Sequence, residues 1–127
     1  MILSIVTVVK DDLDGLMLTS SSIDKFVVGS NFEHIIWWND NHQLEASMLC
    51  DVSNRSIYKG ADSGIFDAMN RALKYCKGKY ILFLNARDTF EETFVLENLE
   101  MHGGPCLIRV IYEDFLREIS MLSAGII

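Results

Sequence analysis

The chain has 127 residues, half of them apolar and one of them proline, which predicts a single ordered domain spanning residues 1–127. Its net charge of -7 argues against a nucleic-acid binder that depends on a basic surface. The three cysteines lie far apart and form no CxxC pair, which favours reduced thiols and a cytoplasmic location: Cys50, Cys76 and Cys106.

An apolar run at residues 2–9 predicts a buried central strand of a parallel sheet. The run is too short to cross a bilayer and no basic segment precedes it, so we expect neither a signal peptide nor a transmembrane segment. A helix is predicted over Leu13–Phe26, although the hydroxyl residues at 19–22 compete for backbone hydrogen bonds. Its inward face would carry Leu16, Met17, Ser20, Ile23 and Val27.

The apolar segment Phe32–Trp38 predicts a second strand, which ends in the polar run 39–41. Trp37 and Trp38 are successive strand residues, so they should point to opposite faces of the sheet, and we expect both to be core residues. Two shorter elements follow, a helix over residues 43–49 and a strand over residues 56–59.

The most informative stretch of the sequence runs from Asp62 to Asp88. Apolar residues at i, i+3, i+4, i+7, i+8 and i+11 predict an amphipathic helix there: Ile65, Ala68, Met69, Ala72, Leu73 and Cys76. Asp62 or Ser63 would cap the start of this helix, and Gly78 would end it. The continuous apolar run 80–84 then predicts a strand that is covered on both faces.

The rest of the chain continues the alternation of strands and helices. Residues 91–99 predict a helix with its acids near the N-terminus, as the helix dipole prefers. The break at 103–105 is followed by a strand over Cys106–Tyr112 and by a final helix or strand over residues 113–122. This order predicts an α/β fold, a mostly parallel sheet with helices on both faces.

In such a fold, a helix start and a strand end meet at one edge of the sheet, which is where ligands bind. Asn85 and Asp88 end the strand of the central stretch, and their oxygen atoms suit a hard divalent cation that bridges phosphates. Asp11 and Asp12 follow the first strand and are either Mg²⁺ ligands or part of a solvated turn.

Other polar residues at this edge have two interpretations each. Asp40 either accepts hydrogen bonds from a ribose or a base, or is a plain turn residue. Asp62 either contacts a ligand or caps the helix. Asp67 and Asn70 lie on the polar face of that helix, where a solvated surface is the alternative.

Three segments together resemble the nucleotide-binding half of family 2 glycosyltransferases with the GT-A fold. The first strand, LSIVTVV at residues 3–9, is similar to the family's opening strand. DSGIFDAMN at 62–70 resembles the family's D-x-G-I-Y-D-A-M-N segment. GKYILFLNARD at 78–88 resembles its G-x-Y-I-x-F-L-N strand and the acidic DXD-type metal motif that follows. The match is closest to bacterial enzymes of polysaccharide or colanic-acid-type biosynthesis.

The resemblance implies a Rossmann-like GT-A domain that binds a nucleotide-sugar donor with Mn²⁺ or Mg²⁺. Such an enzyme transfers the sugar to a saccharide or lipid-linked acceptor, in the cytoplasm or at the inner membrane surface. By position, the residues that border the nucleotide or support its loop would be Thr7, Val9, Asp40, Asp62, Asp67 and Asn70. Asn85 and Asp88 would occupy the outer positions of the metal motif, with Asp88 as the main ligand.

The sequence departs from the family pattern at three places. The run 39–41 replaces a D-G-G-S-type turn, which shifts the register of Asp40. Arg87 lies inside the metal motif, where a small or acidic residue is usual, and would repel a metal unless it points away or contacts phosphate. Family members continue beyond the length of this chain, so we expect a C-terminally truncated fold without the acceptor surface and the catalytic base. The acids at 113–114 follow the wrong strand and are not assigned.

Two other functions remain open at this point. The chain could be a catalytically inactive nucleotide-binding or assembly module of the same fold, and exposed apolar sheet surface would favour a homo-oligomer. A receiver-type signalling domain is the more remote alternative, with Asp11 and Asp12 as its paired acids. That class also requires a lysine after the fifth strand, where this chain has Glu113.

Overall fold

The computed structural model describes residues 1–39, 54–97 and 99, together with the backbone of residues 106–112 and 115–121. The elements are β1 (Leu3–Val9), α1 (Leu13–Phe26), β2 (Val27–Val28), β3 (Phe32–Trp38), β4 (Arg55–Lys59), α2 (Ile65–Leu73), β5 (Tyr80–Phe83), β6 (Thr89–Phe90), β7 (Phe94–Val95), β8 (Cys106–Tyr112) and β9 (Phe115–Met121). The helix predicted at 43–49, Asp40 and the acids at 113–114 lie outside the described residues.

Four strands form a parallel sheet in the order β4-β3-β1-β5. All seven residues of β1 are buried, because this apolar strand lies between two neighbours and is covered on both faces. Its register aligns Leu3 with Phe32 on β3 and with Tyr80 on β5. The parallel sheet and the α/β fold class are therefore confirmed.

The two helices cover opposite faces of this sheet. Ala68 and Ala72 of α2 pack with Trp37, whereas Leu16 of α1 packs with Trp38 on the other face. The two tryptophan side chains retain 6% and 2% of their exposure, which confirms that both are core residues pointing in opposite directions.

The chain after β5 differs from the sequence-based expectation. The helix predicted over residues 91–99 is confirmed only at its end, where Glu97 and Leu99 are helical. Its earlier part is wrong, because Phe94–Val95 forms a short strand that pairs in parallel with Val27–Val28. The Phe94 side chain is buried in the same core cluster as Ile23 of α1, and this tertiary contact outweighs the local preference for a helix.

An antiparallel sheet of order β6-β8-β9 completes the described elements. The strand prediction at Cys106–Tyr112 is confirmed, and the alternative left open for residues 113–122 is decided in favour of a strand, Phe115–Met121. No helix in the described part of the chain is long and apolar enough to cross a membrane.

The ends of α2 also differ from expectation. Gly64, rather than Asp62 or Ser63, is the N-cap, and no side chain bonds to the cap. The helix ends at Leu73, before Gly78, whose N–H donates to Ser4 Oγ at 2.8 Å. A Cβ at position 78 would lie 2.7 Å from the carbonyl carbon of Leu3 and would also meet the backbone nitrogen of Ser4, so this glycine allows the loop to lie directly against β1.

Candidate functional site

A cleft of about 430 Å³ opens at the edge of the sheet where β1 and β5 end. Its lining comes from three stretches that the fold brings together: Val8, Val9, Lys10 and Asp12 at and after the end of β1; Asp62, Gly64, Ile65 and Ala68 around the start of α2; and Asn85, Ala86 and Asp88 after β5. This is the carboxyl edge of a parallel sheet, the place where ligands bind in open α/β folds.

One wall of the cleft holds Asp62, which Trp37 orients. The Trp37 Nε1–H donates to Asp62 Oδ2 at 3.0 Å, and the backbone N–H of Gly64 donates to Asp62 Oδ1, also at 3.0 Å. Because Trp37 is itself packed in the core, the carboxylate is fixed relative to the sheet. Asp62 therefore presents an anchored acceptor at the cleft, which suits hydroxyl groups of a sugar or the N–H groups of a base.

Asp67 stabilises the loop that precedes α2 and contains Asp62. Asp67 Oδ2 accepts hydrogen bonds from the Ser63 backbone N–H at 2.8 Å and from Arg71 Nε at 2.9 Å. The hydrogen bond from Arg71 is the main reason that the pKa of Asp67 lies below its ordinary value, with the Ser63 backbone N–H second. Asp67 does not line the cleft, and Asn70 is exposed.

Another wall of the cleft is formed by the turn after β5. Asp88 is 5% exposed, and its Oδ2 accepts a hydrogen bond from the Asn85 backbone N–H at 3.0 Å. The Asp88 N–H in turn donates to the Asn85 carbonyl at 2.9 Å, which closes residues 85–88 into a β-turn. Both residues line the cleft, and the hydrogen bonds within the turn hold their backbones in place.

The side-chain oxygen of Asn85 is a candidate ligand atom. Its Oδ1 is buried and has no hydrogen-bond partner among the residues that the structure describes. A buried acceptor without a partner is costly and uncommon, so a bound cation or a ligand N–H or O–H would satisfy it.

The residues present fit a hard divalent cation of the Mg²⁺ or Mn²⁺ type that is shared with a ligand. Such an ion takes oxygen ligands, and in phosphate sites the protein commonly supplies one or two carboxylates while the phosphates supply others. Asn85 Oδ1 and the Asp88 carboxylate match that donor set. Within residues 1–39, 54–97 and 99, no group of three or more His, Cys, Asp or Glu residues could hold a metal without help from a ligand.

Arg87 does not line the cleft, although it lies between the two candidate metal ligands in sequence. Its Nε and Nη2 donate to Asp12 Oδ2 and Oδ1, both at 2.8 Å. Arg87 adopts φ 80°, a left-handed conformation that turns its side chain toward α1. The guanidinium charge is thereby paired with the acid at the start of α1.

Asp12 therefore has a structural role that the sequence did not indicate. Its Oδ1 accepts the Gly15 N–H at 3.1 Å, so it is the N-cap of α1 as well as the partner of Arg87. A carboxylate already used in these three hydrogen bonds is a poor Mg²⁺ ligand. Asp11 is exposed and has φ 52°, which places it in the turn between β1 and α1.

The structure brings together five of the residues that the sequence singled out: Val9, Asp12, Asp62, Asn85 and Asp88. Thr7 lies outside the lining, because its hydroxyl is fully buried and donates to the Leu84 carbonyl at 2.7 Å. Asp40 lies outside the described residues. Lys10 lines the cleft and was not assigned from the sequence, although its position directly after β1 could have indicated it.

No family model and no curated protein sequence matches the chain. Solved structures do match. TarS of S. aureus, a glycosyltransferase, superposes with a TM-score of 0.61 at 16% identity, over 84% of this chain and 21% of that one. Crystal structures of TarS 1-349 alone and in complex with UDP both give a TM-score of 0.57, at 17% and 16% identity. Each covers 81% of this chain, which spans 31% of their length. The chain thus has a glycosyltransferase-like fold.

Proposed function

We propose that this chain is the donor-binding part of a glycosyltransferase. It binds a nucleoside diphosphate sugar in the cleft, together with Mn²⁺ or Mg²⁺, for transfer of the sugar to a saccharide or lipid-linked acceptor. The observation that carries the proposal is the cleft itself, which Asp62, Asn85 and Asp88 line together. A fold shared with TarS, for which a UDP complex is known, supports the same ligand class.

The two walls differ in chemistry, and this difference suggests how the donor lies. Asp62 is anchored by Trp37 and offers an acceptor to the ribose or the base, while Val9 adds an apolar surface next to it. Asn85 and Asp88 offer oxygen atoms to a cation, and an anionic diphosphate requires one because carboxylates alone would repel it. The nucleoside therefore belongs near Asp62 and the diphosphate near the turn 85–88.

Asn85 and Asp88 are the residues that would hold the metal ion. When bound, the ion neutralises the charge on the diphosphate leaving group. The chain's own contribution is to orient the donor between two rigid walls, because the turn 85–88 is closed by its own hydrogen bonds and Asp62 is fixed to the core.

A cytoplasmic location and a role in polysaccharide biosynthesis are further parts of the proposal. Cys76 is a free thiol, which suits a reducing compartment. A donor site of this kind also suits a compartment where nucleotide sugars are made.

Isothermal titration with UDP, GDP and TDP, each with and without Mn²⁺, tests donor binding. We expect one of them to bind, with an affinity that rises when Mn²⁺ is present. Asp88→Ala should abolish the effect of Mn²⁺, whereas Asp14→Ala, which removes an exposed acid of α1 outside the cleft, should not. Failure of all three nucleotides to bind would refute the proposal.

Binding alone does not distinguish an active enzyme from an inactive module of the same fold. An assay for slow hydrolysis of the matching nucleotide sugar provides that distinction. The assay measures release of the free sugar in the presence of Mn²⁺. Release that disappears in Asp88→Ala indicates a competent site. Binding without any release indicates a module that holds the donor and leaves the chemistry to another protein.

A further inference from the structure

We propose that Thr19 of α1 is the positioning residue of the donor site, because its hydroxyl fixes the turn 85–88 that carries Asn85 and Asp88. The identity of the ligand rests on the proposed function above. The contact between Thr19 and the turn does not, and it can be tested without any ligand.

Thr19 is fully buried, and its Oγ1 lies 3.1 Å from the Asn85 carbonyl and 2.8 Å from the Asp88 carbonyl. One hydroxyl thus donates to both ends of the four-residue turn, in a shared hydrogen bond. Both residues line the cleft and are the candidate metal ligands. A single side chain of α1 therefore fixes the backbone positions of both candidate metal ligands.

Three other contacts attach the same segment to the same helix. The Arg87 N–H donates to the Gly15 carbonyl at 3.1 Å, and the Arg87 side chain pairs with Asp12. The Phe90 N–H donates to Ser22 Oγ at 2.6 Å. Positions 12, 15, 19 and 22 recur at helical spacing and so share one face of α1. We call this set of contacts the α1 clamp.

The clamp explains two features of α1 that are unfavourable for a helix. Hydroxyl residues inside a helix compete with its backbone bonds, but here Thr19 and Ser22 have partners across the interface. Gly15 lowers helix propensity, yet a Cβ there would lie 2.7 Å from Arg87 Cγ, so the glycine makes room for the arginine. An apolar helix face would have been enough for packing. Both features instead allow polar contacts between α1 and the segment 85–90.

The clamp acts on binding because groups behind a metal ligand control the ligand's orientation. Loss of such a supporting hydrogen bond typically lowers metal affinity by about 10- to 100-fold. Thr19→Val keeps the shape of the side chain and removes the hydroxyl, leaving the Asp88 carbonyl without this donor. Thr19→Ser keeps the hydroxyl. We therefore expect Thr19→Val to weaken Mn²⁺-dependent UDP binding by about tenfold or more, and Thr19→Ser to restore most of it.

Two measurements on the ligand-free and ligand-bound protein test this inference. Amide hydrogen exchange followed by mass spectrometry reports on residues 85–90 without ligand, and titration with Mn²⁺ and UDP reports on the site. Ser4→Ala is the matched control, because it removes an equally buried hydroxyl that bonds to Glu33, away from the cleft. It should lower stability without faster exchange in 85–90 and without a change in Mn²⁺-dependent affinity.

The expected result is faster exchange of 85–90 and weaker Mn²⁺-dependent binding in Thr19→Val, with rescue of both by Thr19→Ser. Unchanged exchange in Thr19→Val, or equal losses in the valine and serine variants, overturns the inference. If Thr19→Val does not fold, the comparison of Thr19→Ala with Thr19→Ser takes its place. If the wild-type chain binds no nucleotide, the proposed function fails, and the exchange data alone then decide whether the clamp exists.

Discussion

Arg87 donates two hydrogen bonds of 2.8 Å to the two carboxylate oxygens of Asp12, and this pair resolves the main conflict in the candidate metal motif. A cation between Asn85 and Asp88 would repel a bound metal ion if it faced the cleft. The left-handed backbone of Arg87 directs the side chain to the start of α1 instead. The motif therefore keeps its two candidate oxygen ligands, while the charge of its arginine is paired with an acid.

Substitutions at Arg87 should separate backbone strain from the ion pair. Arg87→Ala and Arg87→Gly both lose the ion pair, but only glycine adopts φ 80° without cost. We expect the alanine variant to be less stable than the glycine variant by about 1 kcal/mol in urea unfolding. Asp12→Asn keeps an oxygen to cap α1 and should lose only about 0.5 kcal/mol, since the Arg87 side chain is 53% exposed. Equal stability of the alanine and glycine variants would contradict this account.

The hydrogen bond between Trp37 and Asp62 should contribute to nucleotide affinity. Trp37→Phe keeps an aromatic ring in the core but removes the Nε1–H that orients the Asp62 carboxylate. Given the usual strength of hydrogen bonds to charged groups, we expect UDP binding to weaken by about tenfold. Trp38→Phe is the control, because that ring packs against α1 on the other face of the sheet. Similar losses in both variants would indicate a general effect of core damage.

His34 should make the stability of the protein depend on pH in a defined direction. Arg55 Nε donates to His34 Nδ1 at 2.9 Å, so the imidazole proton is on Nε2, which faces the Thr7 hydroxyl at 2.7 Å. Protonation of His34 Nδ1 would place its N–H against the Arg55 Nε–H, so that two donors would face each other. Burial, and then the Arg55 cation, hold the pKa of His34 well below its ordinary 6.5. Asp24 is the acid that faces Arg55, at 2.9 Å.

Just below pH 6.5, His34 therefore binds a proton in the unfolded chain but remains neutral in the folded protein. Stability from this group is complete above pH 6.5 and falls as the pH drops below it, by up to about 1.4 kcal/mol per pH unit. Urea unfolding between pH 5 and 7.5 measures the slope, and His34→Gln, which does not titrate, should flatten it. The same slope in the variant would assign the effect to other groups.

Cys76 should be an unreactive thiol. Burial raises its pKa to about 11, and the nearby Glu33 carboxylate adds to the shift. Only the thiolate is nucleophilic, so iodoacetamide at pH 8 should modify Cys76 more slowly than an ordinary thiol by roughly one to two orders of magnitude. Peptide mapping by mass spectrometry resolves it from Cys50 and Cys106. Unfolding in guanidinium should remove the protection, and equal rates in the folded and unfolded states would rule out the burial argument.

Hydrophobic patterns in the sequence predicted the individual strands and helices whose formation depends on neighbouring residues. Apolar β-branched runs indicated β1 and β3, and the sequence placed α1 at about Leu13–Phe26, where the structure has it. The carboxyl edge of the sheet followed from the alternation of strands and helices, and with it the proximity of Asp62 to Asp88. Each of these depends on residues within one element or on the order of elements.

Other features depended on contacts between distant segments. Phe94–Val95 became a strand because Val27–Val28 offered it a partner, although its own sequence favours a helix. Met17, predicted to face inward, is 41% exposed, while its neighbour Thr19 is fully buried against the turn 85–88. The hydroxyl cluster of α1 looked like a weakness because its partners lie more than sixty positions away.

The sequence by itself determined the α/β class, the central strand, the two helices and the edge at which a ligand would bind, because hydrophobic periodicity and chain order are properties of the chain. Only the tertiary structure decided which polar groups face that edge. Arg87 is paired with Asp12, Thr7 is buried beneath the edge, and Thr19 hydrogen-bonds to the turn 85–88 from α1. The physical reason is that a polar side chain takes the partner that folding brings within about 3 Å, and sequence spacing does not encode that distance.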